Sequence, residues 1–346
     1  MNVDALEDLV EQAVRDLAVS GVVRVDFDGD VVFEGAYGLA DRAHGIPNRP
    51  DTQFAIASGT KGFTALTVMS MVGDGLLRLD TPVRSVLGRD LPLVDDDVTV
   101  EHLLTHRSGI GDYLDEDEDH DYDDYLMPVS VHRLASTEQY LAVLEGHPMK
   151  FAPGSRFSYS NGGYVVLALI AERVSGVAFH ELVVQRVCAP AGMNSTAFLR
   201  SDELPGRAAI GYLSGEDPRT NVFHLPVRGS GDGGIFTTVG DVHLLWDAFF
   251  DGRIVSTRRV AGMTTPHDGA PDEQLRYGVG FWLDEANDTV SLHGFDAGVT
   301  FVSVRDRANR FTSTVVTNTS RGGWPLSQRI LEVLTAGLGG RGGRAD

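Results

Sequence analysis

The stretch Phe54–Gly75, FAIASGTKGFTALTVMSMVGDG, decides how the chain is read. It sets Ser58 and Lys61 three residues apart at the head of an apolar run. Residues three apart on a helix share a face, so the hydroxyl and the amine can meet. Phe63, Leu66, Val68, Met69, Met71 and Val72 make the following turns apolar almost all round, the pattern of a buried central helix. Gly73 and Gly75 mark its end. A serine beside a lysine where helix meets core fits a nucleophile and its base. The competing reading is an N-cap serine followed by a solvated first-turn lysine. The chain holds two lysines, Lys61 and Lys150. A serine three residues ahead of either is expected by chance about 0.1 times, so the pair stands above coincidence. Taken alone, it leaves catalysis and capping evenly balanced.

A chain of 346 residues can form one large domain or two. A net charge of −20 argues against nucleic acid and anionic membranes as partners and leaves a small-molecule substrate; it says nothing of oligomeric state. The one cysteine, Cys188, excludes an internal disulfide and sits in an apolar segment, as a core residue does. No apolar run reaches the length of a membrane-spanning helix. The N-terminus is an acidic amphipathic helix without a basic leader, which gives the expectation of a cytoplasmic protein.

Outward from the Ser58 stretch, residues 4–18 read as a helix with Leu6, Leu9, Val10, Ala13 and Leu17 on one face. Two β-branched runs flank Asp28-Gly29, a hairpin signal. From about residue 80 to 220 the signals are helical: Thr99–Thr105, a capped start at Ser136-Thr137, Gly162–Gly176 and Phe179–Ala189. Thr238 opens another helix, to about Phe250. Tyr277–Leu283, Asp288–His293, Val299–Val304 and Phe311–Thr317 then read as strands, Trp324–Leu338 as a terminal helix and GGRGGRAD as a disordered tail. Short turns between strands imply an antiparallel sheet flanked by helices. The expected division is residues 1–79 with 221–346 around the sheet, and 80–220 as an inserted helical domain.

Two further places carry candidate chemistry. Tyr159 and Asn161 stand before an apolar helix, as a second proton carrier and a donor to a substrate carbonyl. His293, Gly294 and Phe295 close a strand, where a glycine permits close approach and a following N–H can face a ligand. In isolation a helix N-cap at Asn161 and a plain strand end at Gly294 are the favoured readings.

Together, Ser58-Gly59-Thr60-Lys61, Tyr159-Ser160-Asn161 and a strand ending in Gly294 resemble the serine β-lactamase and penicillin-binding-protein superfamily. The tyrosine resembles its class C branch, with D,D-peptidases, D-aminopeptidases and class VIII carboxylesterases. Leu103-Leu104-Thr105-His106 before Ser108-Gly109, Pro153-Gly154 and Gly233-Gly234-Ile235-Phe236-Thr237-Thr238 match connecting stretches of that family. The resemblance runs from about residue 20 to 335. It implies an α/β domain from both chain ends, an inserted all-α domain, a site between them, and no cofactor or metal. It also implies acylation of Ser58, proton transfer shared by Lys61 and Tyr159, and an oxyanion hole from the N–H groups of Ser58 and Phe295.

The chain departs from the family at the third motif. Gly294 and Gly298 keep its spacing, which sets Leu292 where relatives carry lysine or histidine, and His293 on the threonine position. That removes a cation which favours substrate carboxylates. Asp115–Asp124, DEDEDHDYDD, holds eight carboxylates in ten residues and is expected to be a solvated loop. His102 and His106 stand at a nominal metal-pair spacing, but no HExxH glutamate accompanies them. The expected function is a serine hydrolase of small esters or amides that prefers neutral over carboxylate-bearing substrates. A β-lactamase, D,D-peptidase or D-aminopeptidase is the first alternative, and a non-catalytic binding module on the same fold the second.

Overall fold

The computed structural model describes residues 3–118, 121, 123–215, 217–267, 275–284 and 288–336. Among them seven antiparallel strands form the main sheet. In spatial order they are Asp30–Tyr37, Gly21–Phe27, Phe311–Thr317, Val299–Asp306, Thr289–Asp296, Trp282–Asp284 and Arg276–Tyr277. Strands from near the two chain ends lie side by side as the second and third of the seven, where Val23 pairs with Val315. The Asp28-Gly29 hairpin forms as expected, both residues having positive φ (55° and 88°).

Side-chain alternation gives the sheet two apolar faces. Val23, Val25, Val302, Val304 and Val315 pack under the helices Val3–Leu17 and Gly323–Ala336. Val22, Phe301 and Val316 join the larger core around Thr60–Gly73 and Asn161–Ser175. Thr60–Gly73 is buried on nearly every side through Met71, which explains its almost uniformly apolar sequence. Val239–Phe250 lies on the same side and buries a polar chain: Trp246 donates to Ser303, and His243 bonds Thr314 and lies 2.7 Å from Asp26.

Between residues 80 and 220 the regular elements are helices, joined to the rest by one continuous core and by isolated bridges such as Ala197 to Phe236. Two sequence expectations change in detail. Tyr277–Leu283 is a hairpin of two short strands, because Gly278 and Gly280 reverse the chain, Gly278 donating to Phe281. The helix opened by Phe179 passes through a π-turn at Val184–Cys188 and runs on to Ala191. The tail beyond residue 336 lies outside the described residues. No single described helix is long and apolar enough to cross a membrane.

Candidate active site

Ser58 sits in the 3-10 turn Ala57–Gly59 that leads into Thr60–Gly73. The turn is pinned from beneath. Phe54–Ala55 pairs with Phe236–Thr237, Ile56 donates to Ile235, and Thr60 Oγ1 bonds both the Ala57 carbonyl and the Ile235 N–H. This is the work of the Gly233–Thr238 landmark. Ala57 is held at φ 44°, a conformation that costs a non-glycine residue about 1–3 kcal/mol and persists where its surroundings fix it. The turn heads a helix, where the first N–H groups have no intrahelical acceptor and face an incoming ligand.

Lys61 reaches Ser58. Its Nζ lies 2.9 Å from Ser58 Oγ, 2.8 Å from Asn161 Oδ1 and 2.9 Å from the Asp232 carbonyl, which uses all three of its donors. The side chain is only 1% exposed. Burial lowers its pKa, and the charges of Asp232, Glu116, Asp112 and Asp296 partly oppose that shift. The solvated capping lysine is thereby excluded.

Tyr159 lies between the rings of His106, at 4.3 Å, and Trp282, at 6.0 Å, with the edge of Tyr277 beside it. Lys61 Nζ is 4.8 Å from its ring centre, and its phenol interacts with the Ser58 hydroxyl. Burial, with the Glu116 charge, holds the phenol well above its ordinary pKa, so it stays protonated at neutral pH. His106 is buried at φ 55°, and its Nδ1 accepts the Ser160 N–H at 3.0 Å. His102 Nδ1 takes the Thr99 N–H in a capping box. Both histidines of the nominal metal pair therefore hold backbone.

Asn161 opens the helix Asn161–Ser175, but Ser160 is its N-cap, accepting the Gly163 N–H. Asn161 is thereby free of capping. Its Oδ1 takes Lys61, and its Nδ2 donates to the Leu114 carbonyl and to Glu116 Oε1, both at 3.1 Å. The acidic stretch is thus not simply solvated. Lys150 binds Asp115 at 2.6 Å and Asp117 at 2.7 Å, Ser320 donates to Asp123, and Leu114 with Glu116 lines the cleft.

At the third motif, Gly294 lies against the nucleophile turn. A Cβ there would sit 2.0 Å from the Ile56 carbonyl oxygen, so only glycine lets the strand approach this closely. Leu292 is buried against Gly62 in the core, so the cation position of relatives carries an apolar side chain. His293 does not line the cleft. Its ring is 6.1 Å from Trp282 and 4.9 Å from Trp324, and burial pushes its pKa down to about 4, so it brings no positive charge. Its expected place beside the substrate is corrected: its ring meets Trp324 at the start of the helix Gly323–Ala336, while Phe295, on the same strand face, reaches the cleft. Phe295 is 44% exposed and lines the cleft, as do Ser58, Asn161, Asp232 and Asp296.

Sequence reasoning missed Asp232, Tyr113 and Trp282. Tyr113 donates to the Asp232 carboxylate, which fixes the loop whose carbonyl receives Lys61. Asp232 precedes Gly233-Gly234, a signal that could have been used; nothing in the sequence marks Trp282.

A serine turn and a lysine on a buried helix, brought together with a tyrosine and an asparagine, are the arrangement that the sequence comparisons bear on. The chain belongs to the Beta-lactamase family, whose sequence model matches residues 6–336. It is 36% identical over 217 residues to esterase EstB of Burkholderia gladioli, covering 61% of this chain and 55% of that one. It is 32% identical over 273 residues to a D-aminopeptidase of Brucella anthropi, covering 77% and 49%. The chain thus spans about half the length of these two curated relatives. Among solved structures, a penicillin binding protein from Bacillus halodurans superimposes with a TM-score of 0.88 at 35% identity, covering 94% of this chain and 99% of that one. The D-amino acid amidase of Ochrobactrum anthropi SV3 gives 0.79 at 25%, covering 97% and 99%.

Proposed function

We propose that the protein is a serine hydrolase that cleaves small esters or amides through an acyl-enzyme and disfavours substrates with a carboxylate near the scissile bond. The observation that carries this reading is the contact of buried Lys61 with Ser58 Oγ, 2.9 Å away, with Asn161 and the Asp232 carbonyl holding the amine in place. As a neutral amine, Lys61 donates two hydrogens to those two acceptors and accepts the Ser58 proton on its lone pair. Its lowered pKa suits it to that base role. Tyr159, protonated and next to Ser58, suits the acid role toward the leaving group.

The steps balance. Ser58 Oγ bonds to the carbonyl carbon as its proton passes to Lys61. The bond to the leaving alkoxide or amide breaks as Tyr159 supplies a proton, which Lys61 restores. Water then attacks the acyl-Ser58 ester as its proton passes to the same pair, the Ser58–acyl bond breaks, and the pair returns the proton to Ser58 Oγ as the acid leaves. The N–H groups of Ser58 and Phe295 suit the oxyanion, each such donor being worth about 3 kcal/mol of barrier. Leu292 at the cation position, neutral His293 and the carboxylates of Glu116, Asp232 and Asp296 support the charge preference.

The test is labelling by a fluorophosphonate together with turnover of p-nitrophenyl butyrate. Both are expected in the wild type and absent from Ser58→Ala. Labelling that persists in Ser58→Ala refutes the assignment. Failure of both in the wild type favours a binding module on this fold.

A further inference from the structure

The cleft has a second part that the acylation chemistry does not use. From Ser58 a groove runs along Leu114, Met127, Leu199, Leu204, Leu225 and Val227, side chains from the helical region and from the segment that returns to the sheet. Its polar end is formed by Asp232 and by Asp296, one residue past Phe295. No arginine or lysine lines the groove among the described residues. Asp232 receives the Tyr113 hydroxyl on Oδ2, and Asp296 receives the Ala297 N–H on Oδ1 at 2.9 Å. Both partners are neutral. The carboxyl of Asp296 is pushed up to about 7, first by burial, then by the charges of Asp232 and Glu116, with Lys61 pulling the other way. Two neighbouring carboxylates lining one wall of the cleft, with only neutral hydrogen-bond partners, make a place where a further positive charge is favourable. The apolar wall next to them excludes water and strengthens that attraction.

We propose that this groove binds the apolar body of an ester or amide that also carries an ammonium group, and that Asp296 and Asp232 take the ammonium. The proposal rests on the hydrolase reading above and narrows its substrate to amphipathic amines. Charge complementarity and continuity with Ser58 are what commit the groove to that occupant.

Two isosteric pairs test it. On the acyl side, p-nitrophenyl ε-aminocaproate is compared with p-nitrophenyl heptanoate. On the alcohol side, butyrylcholine is compared with the uncharged dimethylbutyl ester of the same acid. In the wild type at low salt, kcat/KM for the ammonium member of at least one pair is expected to exceed its neutral partner by about tenfold, and the pair that shows it reports which half carries the charge. In Asp296→Asn that ratio should fall several-fold. Asp232→Asn is measured alongside and keeps the test standing if Asp296→Asn fails to fold. If Ser58 labels and neutral esters turn over, but neither pair favours the ammonium, the proposal is wrong while the hydrolase reading stands. A preference that survives both substitutions also overturns it. If nothing labels and no ester turns over, the hydrolase reading falls and the proposal with it.

Discussion

Replacing Gly294 by alanine tests how the site is built. The added Cβ would lie 2.0 Å from the Ile56 carbonyl oxygen and 3.1 Å from the Gly59 nitrogen. Real Cβ contacts essentially never fall below 3.0 Å, so strand and turn must separate by about 1 Å. Both neighbouring groups are backbone, and neither can rotate away. Gly294 is itself held in the sheet opposite Phe301, and the turn is held by Ile235, so the clash strains both and disturbs the geometry of Ser58. Overpacking of this kind costs about 1–3 kcal/mol. A 1 Å misplacement of reacting groups costs about a hundredfold in rate. The assay is kcat/KM on p-nitrophenyl butyrate together with a thermal melt. Gly206→Ala is the control, since nothing lies within 4 Å of a Cβ there. Gly294→Ala should lose about two orders of magnitude in kcat/KM and melt several degrees lower. If it matches Gly206→Ala in both, the close approach of strand and nucleophile turn is not what the structure depends on.

Other outcomes follow from the same geometry. Lys61→Met and Tyr159→Phe should each lower kcat by about a hundredfold or more while circular dichroism stays native, since each keeps most of the side-chain volume it replaces; a variant with near wild-type kcat loses its assigned proton. A p-nitrophenyl ester bearing a carboxylate should show lower kcat/KM than a neutral ester of equal length, and added salt should narrow the gap; the reverse preference at low salt contradicts the reading of Leu292 and His293. Asp26 is held at about 2, below its usual 3.8, because His243 and Arg24 outweigh the opposing effect of burial. That shift is worth about 2 kcal/mol of stability, present above pH 3.8 and lost as pH falls through about 2. Asp26→Asn should therefore lower stability at pH 7 by about that much and flatten its decline between those pH values, as read by urea melts; an unchanged acid limb would show that the pair does not titrate this way.

The sequence was most legible where one periodicity acted alone. The Ser58 helix, the Asp28-Gly29 hairpin and the last two strands followed from apolar pattern and turn residues. The contact between Ser58 and Lys61 followed from helical spacing; at Gly294 the sequence suggested room for a ligand, whereas the structure puts the Ile56 backbone there. Features set by distant partners were not legible. Asp232 meets Lys61 across 171 positions, and Tyr159 is framed by His106 and Trp282, which no local pattern connects to it. His293 shares a strand face with Phe295, yet only Phe295 lines the cleft, because the ring of His293 is met by Trp324 from a helix that no local pattern connects to it. The acidic stretch was read as solvated because Lys150 lies far from it in sequence, yet reaches it in the fold.

The central claim is that Ser58 carries the acyl group. A rapid-quench reaction with p-nitrophenyl butyrate, followed by intact-protein mass and peptide mapping, measures it directly. The account predicts one butyryl adduct per chain, located on the peptide containing Ser58 and absent in Ser58→Ala. An adduct on any other residue, or ester turnover by Ser58→Ala at the wild-type rate, would contradict it.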